Sequence, residues 1–322
     1  MMLEYIHHRK NARIAVVFPL AHSKIDEVME NIESVADVIM HKDIVMDYKE
    51  TINLLHILYE GEPWMPIGGC ITKGVLKHLD NRYDKNIPIR FVFMDSNKEE
   101  AEFVKDLTDM KLDVRALFNQ GNYPIHINDT YAETVSLARS LLHAESFSVL
   151  KIADTYKTGN FLSMIKQIKA VSCPDLWDNF VIDGGGVLSA YGLRDTSDID
   201  YISPQELPQF STLDFCDLRK KSDAPYDKSF LELLYNLENY FFMFGLKFVS
   251  PRLLLEMKKK RNELKDKQDV LLLNNLLERS EKTVFEKIIL CKDKIIIKLL
   301  LIKGSVRAWR KRKQRERQNK KT

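Results

Sequence analysis

The chain has 322 residues, 45% of them hydrophobic and 30% charged, a balance that excludes a disordered chain and allows about two domains of ordinary size. Its four cysteines, Cys70, Cys173, Cys216 and Cys291, are far apart and form no CxxC pair, which excludes a zinc cluster or disulfide framework and fits a reducing cytoplasm. The net charge of +3 hides an asymmetry: from Gly304 onward nine basic residues face one acidic residue, while residues 1–303 hold 40 basic and 45 acidic ones.

The N-terminal apolar run in "ARIAVVFPL" is too short for a signal-peptide core or a membrane span, so no export is expected and a cytoplasmic location is favoured. That stretch and "IPIRFVFMDS" read as strands, rich in β-branched and aromatic residues, and "KEEAEFVKDLTDM" after the second reads as a helix. "YPIHIND" predicts a further strand, followed by a helix in which Thr130 and Glu133 have capping-box spacing. Residues 1–145 are accordingly expected to form an α/β domain. Gly68 and Gly69 before a lysine-containing helix suit either a turn or a phosphate contact. His126 with Asp129 suits either polar site residues or a capped helix start.

An amphipathic helix, "NFLSMIKQIKAV", opens a second domain placed at residues 146–280. Within it "NFVID" reads as a strand, Gly184, Gly185 and Gly186 as a tight turn, "VLSAYGL" as a short helix and "SDIDYIS" as the next strand. Side chains alternate along a strand, so Asp198 and Asp200 should share one face while Ile199 and Tyr201 enter the core. Two carboxylates held that close repel unless a cation lies between them, and hard oxygen donors suit Mg²⁺. The glycine turn lets backbone approach a phosphate, so the pair of features points to a metal-bound nucleoside triphosphate. A solvated strand end is the plain alternative. No GxxxxGK[ST] occurs, and no GxGxxG with a downstream ribose-binding acid, which disfavours the P-loop and the dinucleotide fold.

Ser250 as N-cap and Pro251 at the first helical position open "RLLLEMKKKRNELKDKQDVLLL", expected as one long helix or two separated by a kink. On a continuous helix Lys258, Arg261, Lys265 and Asp269, spaced by three, four and four, share a face. Lys265 and Asp269 could equally be an ordinary surface pair. Residues 281–322 form the third predicted region, an amphipathic segment with a lysine every few residues and then the basic tail. That region suits a helix packed on the body, an anionic membrane surface or nucleic acid.

The order glycine turn, DID, KDxxD resembles the nucleotidyltransferase superfamily of the polymerase β type, and "GGGVLSAYGLRDTSDIDYI" is especially similar to its AbiEii-type branch. The resemblance covers roughly residues 178–277. It implies a nucleotidyltransferase-type mixed sheet with helices, with Asp198 and Asp200 holding Mg²⁺. Gly184, Gly185 and Gly186, with Lys258, Arg261 or Lys265, would then serve the nucleotide. The superfamily's third carboxylate would fall on a later strand, where Asp214 fits best and Asp217 is its rival. A weaker likeness of the N-terminal part to proteins of bacterial surface-polysaccharide clusters ranks a sugar or sugar phosphate first as the acceptor of the transferred nucleotide. RNA or protein, as acted on by toxin-like members, comes second, and a non-catalytic nucleotide-binding module third.

Overall fold

A computed structural model describes residues 2–60, 62, 65, 73–154, 157–219 and 226–278 of the chain. Gly68, Gly69, Cys70, Cys291, the amphipathic segment and the basic tail lie outside the described residues. The fold is mixed α/β. Its first half runs α1 (Met2–His7), β1 (Arg13–Val17), α2 (Ile25–Glu33), β2 (Asp37–Ile44), α3 (Tyr48–Leu58), α4 (Lys73–Arg82), β3 (Ile89–Asp95), α5 (Glu100–Phe118), β4 (Ile125–Ile127), α6 (Tyr131–Leu142) and α7 (Ala144–Ile152). There follow α8 (Gly159–Ala170), β5 (Val181–Ile182), α9 (Gly185–Ala190), β6 (Ile199–Ile202), β7 (Cys216–Leu218), α10 (Phe230–Tyr235), β8 (Tyr240–Met243), β9 (Leu246–Val249), α11 (Pro251–Arg261) and α12 (Asp266–Glu278).

The first sheet has the order β2-β3-β1-β4, and every neighbouring pair is antiparallel even though helices separate most of its strands in sequence. All five residues of β1 are buried, as a central strand covered on both faces requires. Ala15 and Val17 pack with Val28 and Ile32 of α2 and with Phe103, Leu107, Met110 and Val114 of α5. Ile14 and Val16 point the other way and are buried as deeply. The expected capping box opens α6: Thr130 accepts from the N–H of Glu133, and the Glu133 carboxylate accepts from the N–H of Thr130.

The second sheet is mixed, in the order β7-β6-β5-β9-β8. β6 is antiparallel to β5 and parallel to β7, and β5 is parallel to β9. A two-residue turn joins β8 to β9, with Phe244 at φ 52° and Gly245 at φ 83°, the pair of positive values that a type I′ hairpin needs. A Cβ on Gly245 would lie 2.6 Å from Cζ3 of Trp177, so the hairpin is seated directly on that buried ring.

Helix α6 contacts β1 of the first sheet and β8 of the second. Its Arg139 also reaches Asp178 at 2.6 Å, and Lys247 of β9 meets the same carboxylate at 3.0 Å. Residues 1–270 form one compact unit and 271–322 another, of which only the last residues of α12 are described. Among the described residues no helix is long and apolar enough to cross a membrane.

Candidate functional site

The glycine turn is shaped by what it packs against. After β5, the N–H of Asp183 donates to the carbonyl of Asp200 at 2.8 Å and continues the strand pairing by one residue. Gly184 then adopts φ 59° and ψ −125°, a region that side chains disfavour. A Cβ there would lie 2.7 Å from Oδ2 of Asp200 and 3.0 Å from Nη2 of Arg219. At Gly185 a Cβ would meet Oγ1 of Thr196 at 2.5 Å, and at Gly186 it would meet Cγ2 of Ile182 at 2.6 Å. The turn therefore lies in van der Waals contact with the residues that lead into β6 and with the aspartate that β6 carries.

Asp198 and Asp200 stand as the strand period predicts. Ile199 and Tyr201 are buried, Asp200 is partly buried and Asp198, just before β6, is exposed. Oδ1 of Asp198 accepts from the Thr196 hydroxyl at 3.0 Å. Oδ2 of Asp200 accepts from Nη2 of Arg219, whose Nε lies 3.2 Å from Oδ2 of Asp183. Asp183 is fully buried, and the Tyr226 hydroxyl donates to its Oδ1. Burial raises the pKa of Asp200; Arg219 opposes this, but Asp183 and Asp198 add to the rise. Burial likewise pushes the Tyr226 hydroxyl well above its ordinary value, reinforced by Asp183, so Tyr226 stays a donor.

Asp217 on β7 is the parallel register partner of Asp200, whereas Asp214 sits in the turn before β7; both are exposed. Among the described residues no group of three or more His, Cys, Asp or Glu side chains converges closely enough to hold a metal ion.

The downstream block departs from the continuous helical face expected of it. Asn262 takes the left-handed conformation at φ 53° and ends α11, so Lys265 lies in the connection before α12. Lys265 is 71% exposed and pairs with Glu263 at 3.0 Å. Lys258 is instead buried, with Nζ 3.0 Å from Asp266 and 2.8 Å from Asp269. Arg261 bonds both oxygens of Asp266 at 2.7 and 2.9 Å. Asp269 in turn receives both Nε and Nη2 of Arg194, at 2.7 and 3.0 Å. The two-helix block thus braces the loop between α9 and β6 through Arg194, and Lys258 and Arg261 spend their charge on that brace.

His126 and Asp129 belong to the first sheet, at β4 and just beyond it, where Asp129 pairs with Lys111 at 2.6 Å. The residues that the motif reading passed over are Asp183, Arg194, Thr196, Arg219 and Tyr226. Asp183 carried a signal: a carboxylate ending the apolar run "FVID" must be paired if it is buried. Arg219 and Tyr226 reach it from later in the chain, where no local spacing announces them.

Asp198 and Asp200 carry hard oxygen donors, the kind that a divalent cation takes. Asp183 and Asp200 share the guanidinium of Arg219, and the pKa of Asp200 is raised first by burial and then by the neighbouring carboxylates Asp183 and Asp198. No protein-family model matches the chain, and no curated protein matches it significantly.

Proposed function

We propose that the chain is a Mg²⁺-dependent nucleotidyltransferase that moves an NMP from an NTP to an acceptor, with a sugar or sugar phosphate of surface glycan assembly as the acceptor class. The observation that carries this reading is the Gly184 turn seated on Asp200, with Asp198 exposed two residues earlier and Asp183 sharing Arg219 with Asp200. A mixed sheet in which β6 lies between β5 and β7 supports it, because the resemblance expects such a sheet.

In this reading Asp198 and Asp200 hold the ion, and Asp217, beside Asp200 in register, is a better placed third carboxylate than Asp214. Bound Mg²⁺ would orient the triphosphate and offset the charge that builds up during transfer. Thr196 orients Asp198 through its hydroxyl. Arg194, gripped by Asp269, holds the loop that presents Asp198, which makes Lys258 and Asp269 positioning residues. The resemblance places the phosphates at Gly185 and Gly186, which open α9 half-buried and buried respectively.

One observation favours a second reading. Arg219 engages Asp200 directly, and a carboxylate committed to a guanidinium has less to offer an ion, as in a nucleotide-binding module without turnover. Calorimetric titration of each NTP with Mg²⁺, alongside turnover of α-labelled NTP, separates the two. Turnover by wild type that disappears in Asp198→Asn/Asp200→Asn supports the transferase. Binding without turnover supports the second reading, and no binding of any NTP overturns both.

A further inference from the structure

A second group of chemistry-bearing residues lies in the first half of the chain, where α4, the end of α3 and β4 meet. Arg82, at the end of α4, is 1% exposed. Three aromatic rings surround its guanidinium, with Phe18 at 4.7 Å, Tyr59 at 4.9 Å and Tyr123 at 5.4 Å from the ring centroids. Nη2 donates to the Asn122 carbonyl at 2.9 Å and Nη1 contacts Nδ1 of His78, while Nε is buried without a hydrogen-bond partner. The Tyr59 ring also touches His126, at 4.9 Å between centroids, and Nε2 of His126 is likewise buried and unpartnered. Arg115 of α5 acts electrostatically on Arg82, Tyr59 and His126, and its Nε is a third buried nitrogen without a partner.

What this group lacks is an acid. Among the described residues no carboxylate makes an ion pair with Arg82 or Arg115. The acids whose charge reaches Tyr59 are Glu62 and Asp129, both exposed, and Asp129 is already paired with Lys111. Burying a charge is costly, and an aromatic face offsets only part of that cost. The cage therefore compensates Arg82 in part, and Arg115 nearby adds repulsion. Burial pushes the pKa of His126 down to about 3 and that of His78 down to about 4, so at neutral pH both rings are uncharged and the surplus is that of the two arginines.

We infer that Arg82, Arg115 and His126 form an oxyanion site for the phosphate group of a small phosphomonoester. Arg82 lies at its buried base, and the partly exposed Arg115 and His126 lie nearer to solvent. Donors from two guanidinium groups and an imidazole suit a tetrahedral phosphate better than a planar carboxylate, which a single arginine fork satisfies. Neither the residues nor the charge argument involves the aspartates of the candidate nucleotide site, so the inference stands whether or not that site transfers nucleotides.

The test is calorimetric titration of inorganic phosphate, glucose 1-phosphate and AMP, without Mg²⁺, into the full chain carrying Asp198→Asn/Asp200→Asn, which keeps the other site out of the measurement. One of the two esters is expected to bind at least tenfold more tightly than inorganic phosphate, and which one it is distinguishes a sugar phosphate from a nucleotide as the source. Adding Arg115→Gln should weaken that ester tenfold or more with no change in the melting temperature of the free protein. Arg82→Lys, which keeps the charge and loses the fork, should weaken it similarly. If Arg82→Lys fails to fold, Arg115→Gln decides alone. Failure of both esters to bind, or unchanged binding in Arg115→Gln, overturns the inference.

Discussion

A side chain at position 184 would have nowhere to go. The backbone there is in a glycine region, and the space that a Cβ needs is filled by the Asp200 carboxylate and the Arg219 guanidinium. Gly184→Ala should therefore cost about 2 kcal/mol or more, from backbone strain and from displacing a paired carboxylate. Urea unfolding checks this, and a loss under 0.5 kcal/mol, within the range of an ordinary surface change, would refute it. Arg219 is held to a stricter requirement, since it answers a fully buried Asp183. Arg219→Met should destabilise by roughly 3–5 kcal/mol because it strands that carboxylate. Adding Asp183→Asn should recover part of the loss, and the double-mutant cycle measures the coupling. The glycines and the DID pair were legible because a close turn and a period-two strand are local features. The Asp183–Arg219–Tyr226 network was not, because its members meet only through the fold.

Elements were legible where their ends carry chemical signals. The capping box of α6 and the Ser250–Pro251 start of α11 follow from residues within four positions of each other. The end of α11 was ambiguous, because Lys258, Arg261, Lys265 and Asp269 match an uninterrupted helix and asparagine is only a mild helix breaker. The fold resolves it through charge: Lys258 and Arg261 turn to Asp266 and Asp269, which a break at Asn262 brings within reach. That reasoning predicts opposite responses at one position. Asn262→Gly should leave stability unchanged or slightly higher, since glycine enters the left-handed region freely. Asn262→Ala should lose about 1 kcal/mol. Thermal melts of the two variants check this. If alanine proves equal to or better than glycine, the helices are not separated by a left-handed residue in solution. The β8–β9 hairpin escaped notice for a related reason. Its Phe244–Gly245 turn places a buried aromatic at positive φ, where the familiar signals are asparagine or aspartate before glycine.

At the scale of the whole molecule, the alternation of strands and helices was readable, but the direction of the strands was not. Strand direction is decided by pairing between distant segments, and β1 takes β3 and β4 as antiparallel neighbours on either side. The same burial of distant segments against one another gives the protein a predictable response to acid. His56 of α3 is 4% exposed, its Nε2 has no partner, and burial lowers its pKa from 6.5 to about 4. The folded state thus keeps His56 neutral where the unfolded chain would protonate it. Stability from this group is complete above pH 6.5, declines as the pH falls towards 4 and levels off below that, because the unfolded chain binds the extra proton across that window. The shift corresponds to about 2 kcal/mol lost between pH 7 and pH 5. The depressed carboxylates Asp178, Asp266 and Asp269 act in the same sense only at lower pH, below the ordinary carboxylate value of 3.8. Urea unfolding at pH 7 and pH 5 should therefore show a fall in wild type that His56→Leu reduces by about 2 kcal/mol. His78 and His126, depressed as far as His56 or further, keep a fall of their own in that variant. An equal fall in wild type and variant would mean that His56 already accepts its proton in the folded state, and that the interior around α3 admits water or a counter-charge that its burial denies.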